Sequence, residues 1–236
     1  MKKFAVFDID GTLIRWQFFH AIVNELGKSG HITPADYEEI KAARMRWKVR
    51  EHTESFRAYE STLVHAYLNA LTNISETDHD KAVETVYEEY REQMFTYPRN
   101  LFKQLKEEGY LLFIVSGSHE AILSKLAEEL GFDDYVGAKF TFENGRYTGV
   151  VHTPVHDKGS AVKDLVKKHS LGFEGSMAIG DSESDIAMLE LVENPIAFNP
   201  SRGLFEHAKE HGWRIVLERK NVVYELEPSD DSYRLK

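Results

Sequence analysis

"KKFAVFDIDGTLIRW", residues 2–16, sets an apolar run, Phe4 to Phe7, directly against two aspartates, Asp8 and Asp10. An unpaired buried carboxylate costs several kcal/mol or takes up a proton, and a second one two residues on adds repulsion. A fold tolerates such a pair at the open end of a buried strand, with a cation between the charges. The stretch therefore reads as a buried strand that delivers two acids to an edge.

Short β-branched and aromatic runs at 110–115, 176–179, 195–198 and 213–217 repeat the strand pattern of 4–8. Helical patterns lie between them at 99–108, 119–130, 158–169, 183–191 and 204–210, with Gly109 and Gly131 closing the first two. This alternation predicts an α/β fold with a doubly wound, mainly parallel, Rossmann-like sheet. Between the first two strands the alternation stops. Residues 16–97 hold no convincing strand, and in 54–70 the residues Phe56, Tyr59, Leu63, Ala66, Tyr67 and Ala70 follow helical spacing. A crossover between parallel strands needs one helix, so 16–97 reads as an inserted all-helical cap domain. The core is then discontinuous, 1–15 and 98–236. Within it, Asn144-Gly145 in "KFTFENGRYTGVVHTP" (139–154) signals a hairpin, and the polar tail "EPSDDSYRLK" (227–236) reads as loose.

The 236 residues, 42% hydrophobic, suffice for one large domain or a core with an insertion. A net charge of −10 without a long basic run argues against nucleic acid and anionic membranes, which need many Lys or Arg contacts to phosphate. A small phosphorylated substrate held by one or two cations remains compatible. The lack of cysteine excludes disulfides, thiolate nucleophiles and cysteine–zinc sites. Asp8 interrupts the N-terminal apolar run too early for a signal peptide, and the run at 109–119 is too short to span a bilayer. The cytoplasm is the simplest expectation. Oligomeric state is not legible.

Four motifs fall at strand–helix junctions: "DIDGT" after the first strand, "SGS" (116–118) after the second, "DKGSAV" (157–162) opening a helix, and "GDSESD" (180–185) after the third. In open α/β sheets, ligand sites lie beyond the carboxyl ends of the strands, so the four can converge. Asp8, Asp10, Asp181 and Asp185 offer hard oxygen ligands suited to Mg²⁺. Ser116 and Ser118, with the first N–H groups of the helix at 119, offer an anion cradle, and Lys158 a positive charge. One carboxylate can attack phosphorus, and another two residues away can protonate the leaving oxygen and then deprotonate water.

Each motif alone has an ordinary reading. D-x-D-G is common in turns, Ser116-Gly117-Ser118 can be a turn and helix cap, and Asp157 can cap a helix that leaves Lys158 in solvent. "GDSESD" can be a helix start with acids favoured by the dipole. Together, in this order, they point to one site. His152 and His156 are four apart but separated by Pro154, so they form no helical ligand pair.

The order "DIDGT … SGS … K … GDSESD", the helical insertion, the "ENGRYTGVV" hairpin and "NPSRGLFEHAKEHGWRIV" resemble the haloacid dehalogenase-like hydrolases, in the branch that includes phosphoserine phosphatase. The resemblance covers most of the chain. It implies that Asp8 is the nucleophile, Asp10 the general acid/base and Lys158 the holder of nucleophile and phosphoryl charge. It further implies that Mg²⁺ is held by Asp8, the backbone carbonyl of Asp10 and Asp181, with Asp185 orienting the metal site. Gly11, Thr12, Ser116, Gly117 and Gln17 are assigned to substrate binding. Asp10 argues against a true dehalogenase, which needs no acid there.

Gln17 stands where phosphoserine phosphatases carry a cap glutamate that meets the substrate ammonium, and it lacks that charge. Trp16, Phe18, Arg44, Arg46, Trp47 and Arg57 are further candidates to line the pocket, or else ordinary cap core and solvated arginines. The expected activity is Mg²⁺-dependent hydrolysis of a small phosphorylated metabolite. Its rivals are a phosphotransferase or mutase using the same intermediate, and a non-catalytic phosphate- or metal-binding module.

Overall fold

Strand β1 (Phe4–Phe7) is buried along its whole length, as its apolar sequence demands. The computed structural model describes residues 2–229 and 232–236, which fall into two units. One holds the chain up to Gln17, Tyr90–Lys139 and the stretch from Thr153 onward; the other holds Phe18–Glu89 and Phe140–His152.

After β1 come α1 (Phe18–Lys28), α2 (Pro34–Lys48), α3 (Ser55–Leu71) and α4 (Glu76–Tyr90). They are followed by α5 (Thr96–Glu107), β2 (Leu111–His119), α6 (Glu120–Leu130), β3 (Asp134–Glu143) and β4 (Arg146–His152). The chain continues through α7 (Lys158–Lys168), β5 (Met177–Gly180), a 3₁₀ turn (Glu183–Asp185) and α8 (Ile186–Leu189). It closes with β6 (Asn194–Phe198), α9 (Arg202–Glu210), β7 (Arg214–Arg219), β8 (Val222–Ser229) and β9 (Ser232–Leu235).

In the first unit the strand order is β3-β2-β1-β5-β6-β7-β8-β9. β1 lies parallel between β2, with Phe4 opposite Leu111, and β5, with Ala5 opposite Met177. Successive connections thus leave β1 in opposite directions, which opens a crevice at its carboxyl end. Side chains alternate across this doubly wound sheet. Phe4 and Val6 face Val162, Leu165, Met188, Leu189 and Leu204 from α7, α8 and α9. Phe7, out of phase with them, packs edge-on against Phe102 of α5 and Phe132 after α6. Gly131 ends α6 in the left-handed conformation (φ 78°), as the sequence leads one to expect.

Two expectations need correction. The polar tail is not loose: β8 pairs antiparallel with β7, and β9 with β8, while Asp230 and Asp231 lie outside the described residues. The Tyr233 hydroxyl anchors this edge by donating to the carbonyls of Ala208 (2.9 Å) and Trp213 (2.8 Å). The 183–191 helix is a 3₁₀ turn followed by the single turn α8.

The second unit is built on α3, which buries Tyr59, Leu63, Ala66, Tyr67 and Ala70 of the stripe read from the sequence, while Phe56 is half-buried. The hairpin joins this unit, whereas the sequence pattern alone assigns all of 98–236 to the core. Glu76 N–H donates to the Gly145 carbonyl at 3.1 Å, Phe140 packs edge-on against Tyr67, and Phe142 lies against His79. Its turn residues, Asn144 (φ 51°) and Gly145 (φ 74°), both take the left-handed conformation that a two-residue hairpin favours. The compact unit is thus helices plus a hairpin.

Candidate active site

The carboxyl ends of β1, β2 and β5 and the start of α7 bring the four motifs together. Asp8 follows β1 directly, its N–H donating to the Ile179 carbonyl of β5 at 3.0 Å. The chain then turns back sharply: Thr12 N–H reaches the Ile9 carbonyl, and Gly11 N–H reaches those of Ile14 and Trp16. Gly11 (φ 86°) is required here twice over. A Cβ would be strained by the backbone and would stand 2.3 Å from Asp181 Oδ2.

Lys158, the first residue of α7, is buried. Asp157 caps that helix by accepting from Ser160 N–H at 2.9 Å, which aims the lysine inward. Its Nζ donates to Asp8 Oδ1 at 2.7 Å and to Asp185 Oδ1 at 2.5 Å. Asp185 is itself fully buried. Its other oxygen accepts from the N–H groups of Asp181 (3.0 Å) and Ser182 (2.9 Å), so it organises the loop after β5. Gly180 leaves room for it, since a Cβ there would lie 2.5 Å from Asp185 Cγ. Ser118 donates its hydroxyl to Asp10 Oδ2, and Ser116 Oγ accepts from Ser118 N–H at 3.1 Å.

Electrostatics follow from this crowding. Burial, with help from Asp185 and Asp10, pushes the Asp8 carboxyl up to about 7 against the opposing pull of Lys158. Burial and the Asp8 charge likewise raise Asp181 well above the usual carboxylate range. For Lys158, burial opposes the charge, but Asp185 and Asp8 outweigh it and hold the ammonium protonated.

Carboxylate oxygens of Asp8, Asp181 and Asp185 lie within 4.8 Å of one another. One ammonium cannot balance three carboxylates, two of them buried and the third half-buried. The donor set is all oxygen and short of positive charge, and these residues therefore fit Mg²⁺. Asp10 is outside that trio of side chains; it faces Ser118 instead.

The remaining candidates are placed less pointedly. Thr12 is fully buried, and its hydroxyl has no hydrogen-bond partner among the described residues. Gly117 packs on Val155, and Gln17 and Trp16 are half-buried at the end of the first segment. In the helical unit Phe18 is fully buried, and Trp47 stacks on Tyr59 with ring centroids 5.5 Å apart. Arg44 is half-buried there, and Arg46 and Arg57 are exposed, as are His152 and His156. The bond from Ser118 to Asp10 and the Ser182 support of Asp185 were not foreseen. Only the alternation of serines in "SGS" hinted at the first.

A family model of the haloacid dehalogenase-like hydrolases matches residues 5–190. A phosphoserine phosphatase of Archaeoglobus fulgidus is 27% identical over 201 residues, 84% of this chain and 53% of that protein. Phosphoserine phosphatase SerB2 of Mycobacterium tuberculosis is 29% identical over 212 residues, 88% of this chain and 46% of that one. The chain thus spans about half the length of these two relatives. A histidinol-phosphatase of Neisseria meningitidis is 26% identical over 237 residues, with 92% and 99% of the chains covered. A Bordetella pertussis protein of unknown function shares the fold, with TM-score 0.71 and 22% identity over 91% of this chain and 98% of that one. The matched stretch contains every motif that converges beside β1, and the chain belongs to the haloacid dehalogenase-like hydrolase family.

Proposed function

We propose that this chain is a Mg²⁺-dependent phosphomonoesterase that acts on a small phosphorylated metabolite through an aspartyl-phosphate on Asp8. One observation carries the reading: the buried pair of Asp8 and Lys158 beside an acid, Asp10, that has its own hydrogen-bond donor. Bound through Asp8, Asp181 and the Asp10 backbone carbonyl, with Asp185 alongside, Mg²⁺ supplies charge neutralisation at the phosphoryl oxygens.

The rest is done by the chain. An Asp8 carboxylate oxygen attacks phosphorus, and the bond from phosphorus to the ester oxygen breaks as Asp10 gives that oxygen a proton. Asp10 then takes a proton from water. That water's oxygen attacks phosphorus, and Asp8 leaves as carboxylate. Ser118 fixes which Asp10 oxygen accepts its hydroxyl and so orients the other. Lys158 keeps Asp8 aligned and offsets charge during transfer, while Ser116, Gly117, Gly11 and Thr12 form the phosphoryl surroundings. In the same reading the helical unit contributes to the choice of substrate, and Gln17 is counted among the substrate-binding residues. A cytoplasmic location belongs to the same reading.

The test is phosphate release from an aryl phosphate and from a panel of metabolite phosphates, with Mg²⁺ or chelator, for wild type and Asp8→Asn. Release that needs Mg²⁺ and is abolished by Asp8→Asn supports the proposal. No release from any ester by folded, Mg²⁺-loaded protein overturns it. Transfer to an added hydroxyl that outruns hydrolysis would favour the phosphotransferase.

A further inference from the structure

Away from the acidic site, Glu190, His207 and His211 each bring one ligand atom within 4.8 Å of the others. Glu190 caps the C-terminus of α8; His207 lies in the last turn of α9, and His211 caps that helix. The two imidazoles are one helical turn apart and face each other, with ring centroids 4.0 Å apart and planes inclined by 14°. Trp213 packs against both rings.

Three details go beyond proximity. His211 Nδ1 lies 2.9 Å from the His207 carbonyl oxygen, so Nδ1 carries the proton and Nε2 is left with its lone pair. An outer bond of this kind orients a metal-ligating histidine. His207 Nε2 is buried and has no hydrogen-bond partner among the described residues, although Glu190 Oε1 is only 3.1 Å away. The close pair is misaligned for a hydrogen bond, so the distance alone overstates it. The separation does suit two ligands of one ion, since tetrahedral zinc with bonds of roughly 2.1 Å puts ligand atoms about 3.4 Å apart, and the stacked rings would turn apart for both to reach it.

We propose that Glu190, His207 and His211 form a second metal site, for a divalent transition ion of the zinc type. Two imidazoles and one carboxylate are borderline ligands that select Zn²⁺ over Mg²⁺, whereas the all-oxygen set around Asp8 has the opposite preference. The fold makes the site a clip. At its other end α9 is tied to the same segment, Glu183 accepting from the Ser201 hydroxyl (2.8 Å) and from Gly203 N–H (3.1 Å). A zinc ion at the C-terminal ends would fasten α9 to both ends of 183–190, the stretch that carries Asp185.

The experiment is calorimetric titration of the full chain with Zn²⁺ in excess Mg²⁺, followed by Co²⁺ absorption and thermal unfolding. Wild type is expected to bind one Zn²⁺ per chain with micromolar Kd, to give tetrahedral Co²⁺ bands and to gain several degrees in Tm. His211→Gln, at an exposed position, should weaken Zn²⁺ at least tenfold and abolish the Tm gain, and Glu190→Gln should weaken it less. Asp181→Asn should leave this Zn²⁺ binding unchanged. Zn²⁺ binding that survives His211→Gln, or a Kd in the millimolar range, would overturn the site.

Discussion

Lys158 Nζ sits 2.7 Å from Asp8 Oδ1, and both residues are buried, joined across 150 positions of sequence. The same ammonium bonds Asp185, so a single positive charge is shared by the two carboxylates. Breaking a buried ion pair by removing one partner leaves the other uncompensated, at about 3–5 kcal/mol. Lys158→Met is therefore expected to lose phosphate release by at least a thousandfold and to lower unfolding free energy by about that amount. Denaturant titration in chelator checks the second effect. Pairing it with Asp185→Leu should recover part of the stability and none of the activity.

Asp181 leads to the opposite trade. Burial already disfavours its charge, and the charge on Asp8 adds to the strain. Asp181→Asn removes that charge without changing shape, so the metal-free protein should melt higher than wild type. The Tm gain on adding Mg²⁺ should shrink, and phosphate release should fall by two or more orders of magnitude. Differential scanning with Mg²⁺ and with chelator reads both. A metal-free Tm below wild type would show that Asp181 is held by bonds rather than reserved for a cation.

How far the sequence reaches is visible in these residues. The run Phe4–Phe7 ending in Asp8 identifies β1 because a buried strand is local and apolar, and Gly131 marks the end of α6 because only its backbone takes φ 78° easily. The four motifs are legible because each sits where a strand meets a helix. The bond from Ser118 to Asp10 spans 108 positions and depends on β1 and β2 being neighbours, which no local pattern encodes. The antiparallel β8 and β9 escape notice for a related reason. Neither strand holds a fully buried residue, β9 is the sheet's edge, Pro228 and Ser229 read as loop, and remote bonds from Tyr233 to Ala208 and Trp213 hold them. The pair His207 and His211 is plain in "HAKEH", but Glu190 joins it only through the tertiary fold.

Glu218 of β7 shows the same principle in a helix cap. Phe95 precedes α5 without a side-chain cap, and Glu218 accepts from Thr96 N–H (2.9 Å) and Tyr97 N–H (2.8 Å) instead. The carboxylate meets the positive end of the helix dipole. Glu218→Ala is expected to cost about 1–2 kcal/mol and to leave KM unchanged, as read by urea unfolding and steady-state kinetics.

The helical unit should be sensitive to acid through His79. Burial holds its imidazole below the ordinary 6.5, only partly offset by Asp80. Its Nε2 is 2.9 Å from the Tyr67 hydroxyl, which burial keeps protonated, so neutral His79 accepts from that hydroxyl. A histidine with a lowered folded pKa binds its proton more readily when unfolded. Its contribution is therefore full above about pH 6.5 and is lost as pH falls below that value toward the folded pKa. Hydrogen exchange in α3 and α4 should speed up over that window, and His79→Gln should flatten the dependence. Exchange that is equally pH-dependent in the variant would assign the effect elsewhere.

Gln17 offers a test of substrate choice that leaves the phosphoryl chemistry alone. It is half-buried at the end of the segment that carries Asp8 and Asp10, and it is neutral. A carboxylate at that position would attract an ammonium on the leaving group, and a charge-assisted hydrogen bond is about twice as strong as a neutral one. Gln17→Glu should therefore raise kcat/KM for amine-bearing phosphoesters such as phosphoserine relative to neutral esters of similar size, by about tenfold, the equivalent of roughly 1.4 kcal/mol. The aryl phosphate rate should stay within about twofold, because Asp8, Asp10 and Lys158 are untouched. An unchanged ratio would remove Gln17 from the substrate's surroundings and turn attention to the arginines of the helical unit.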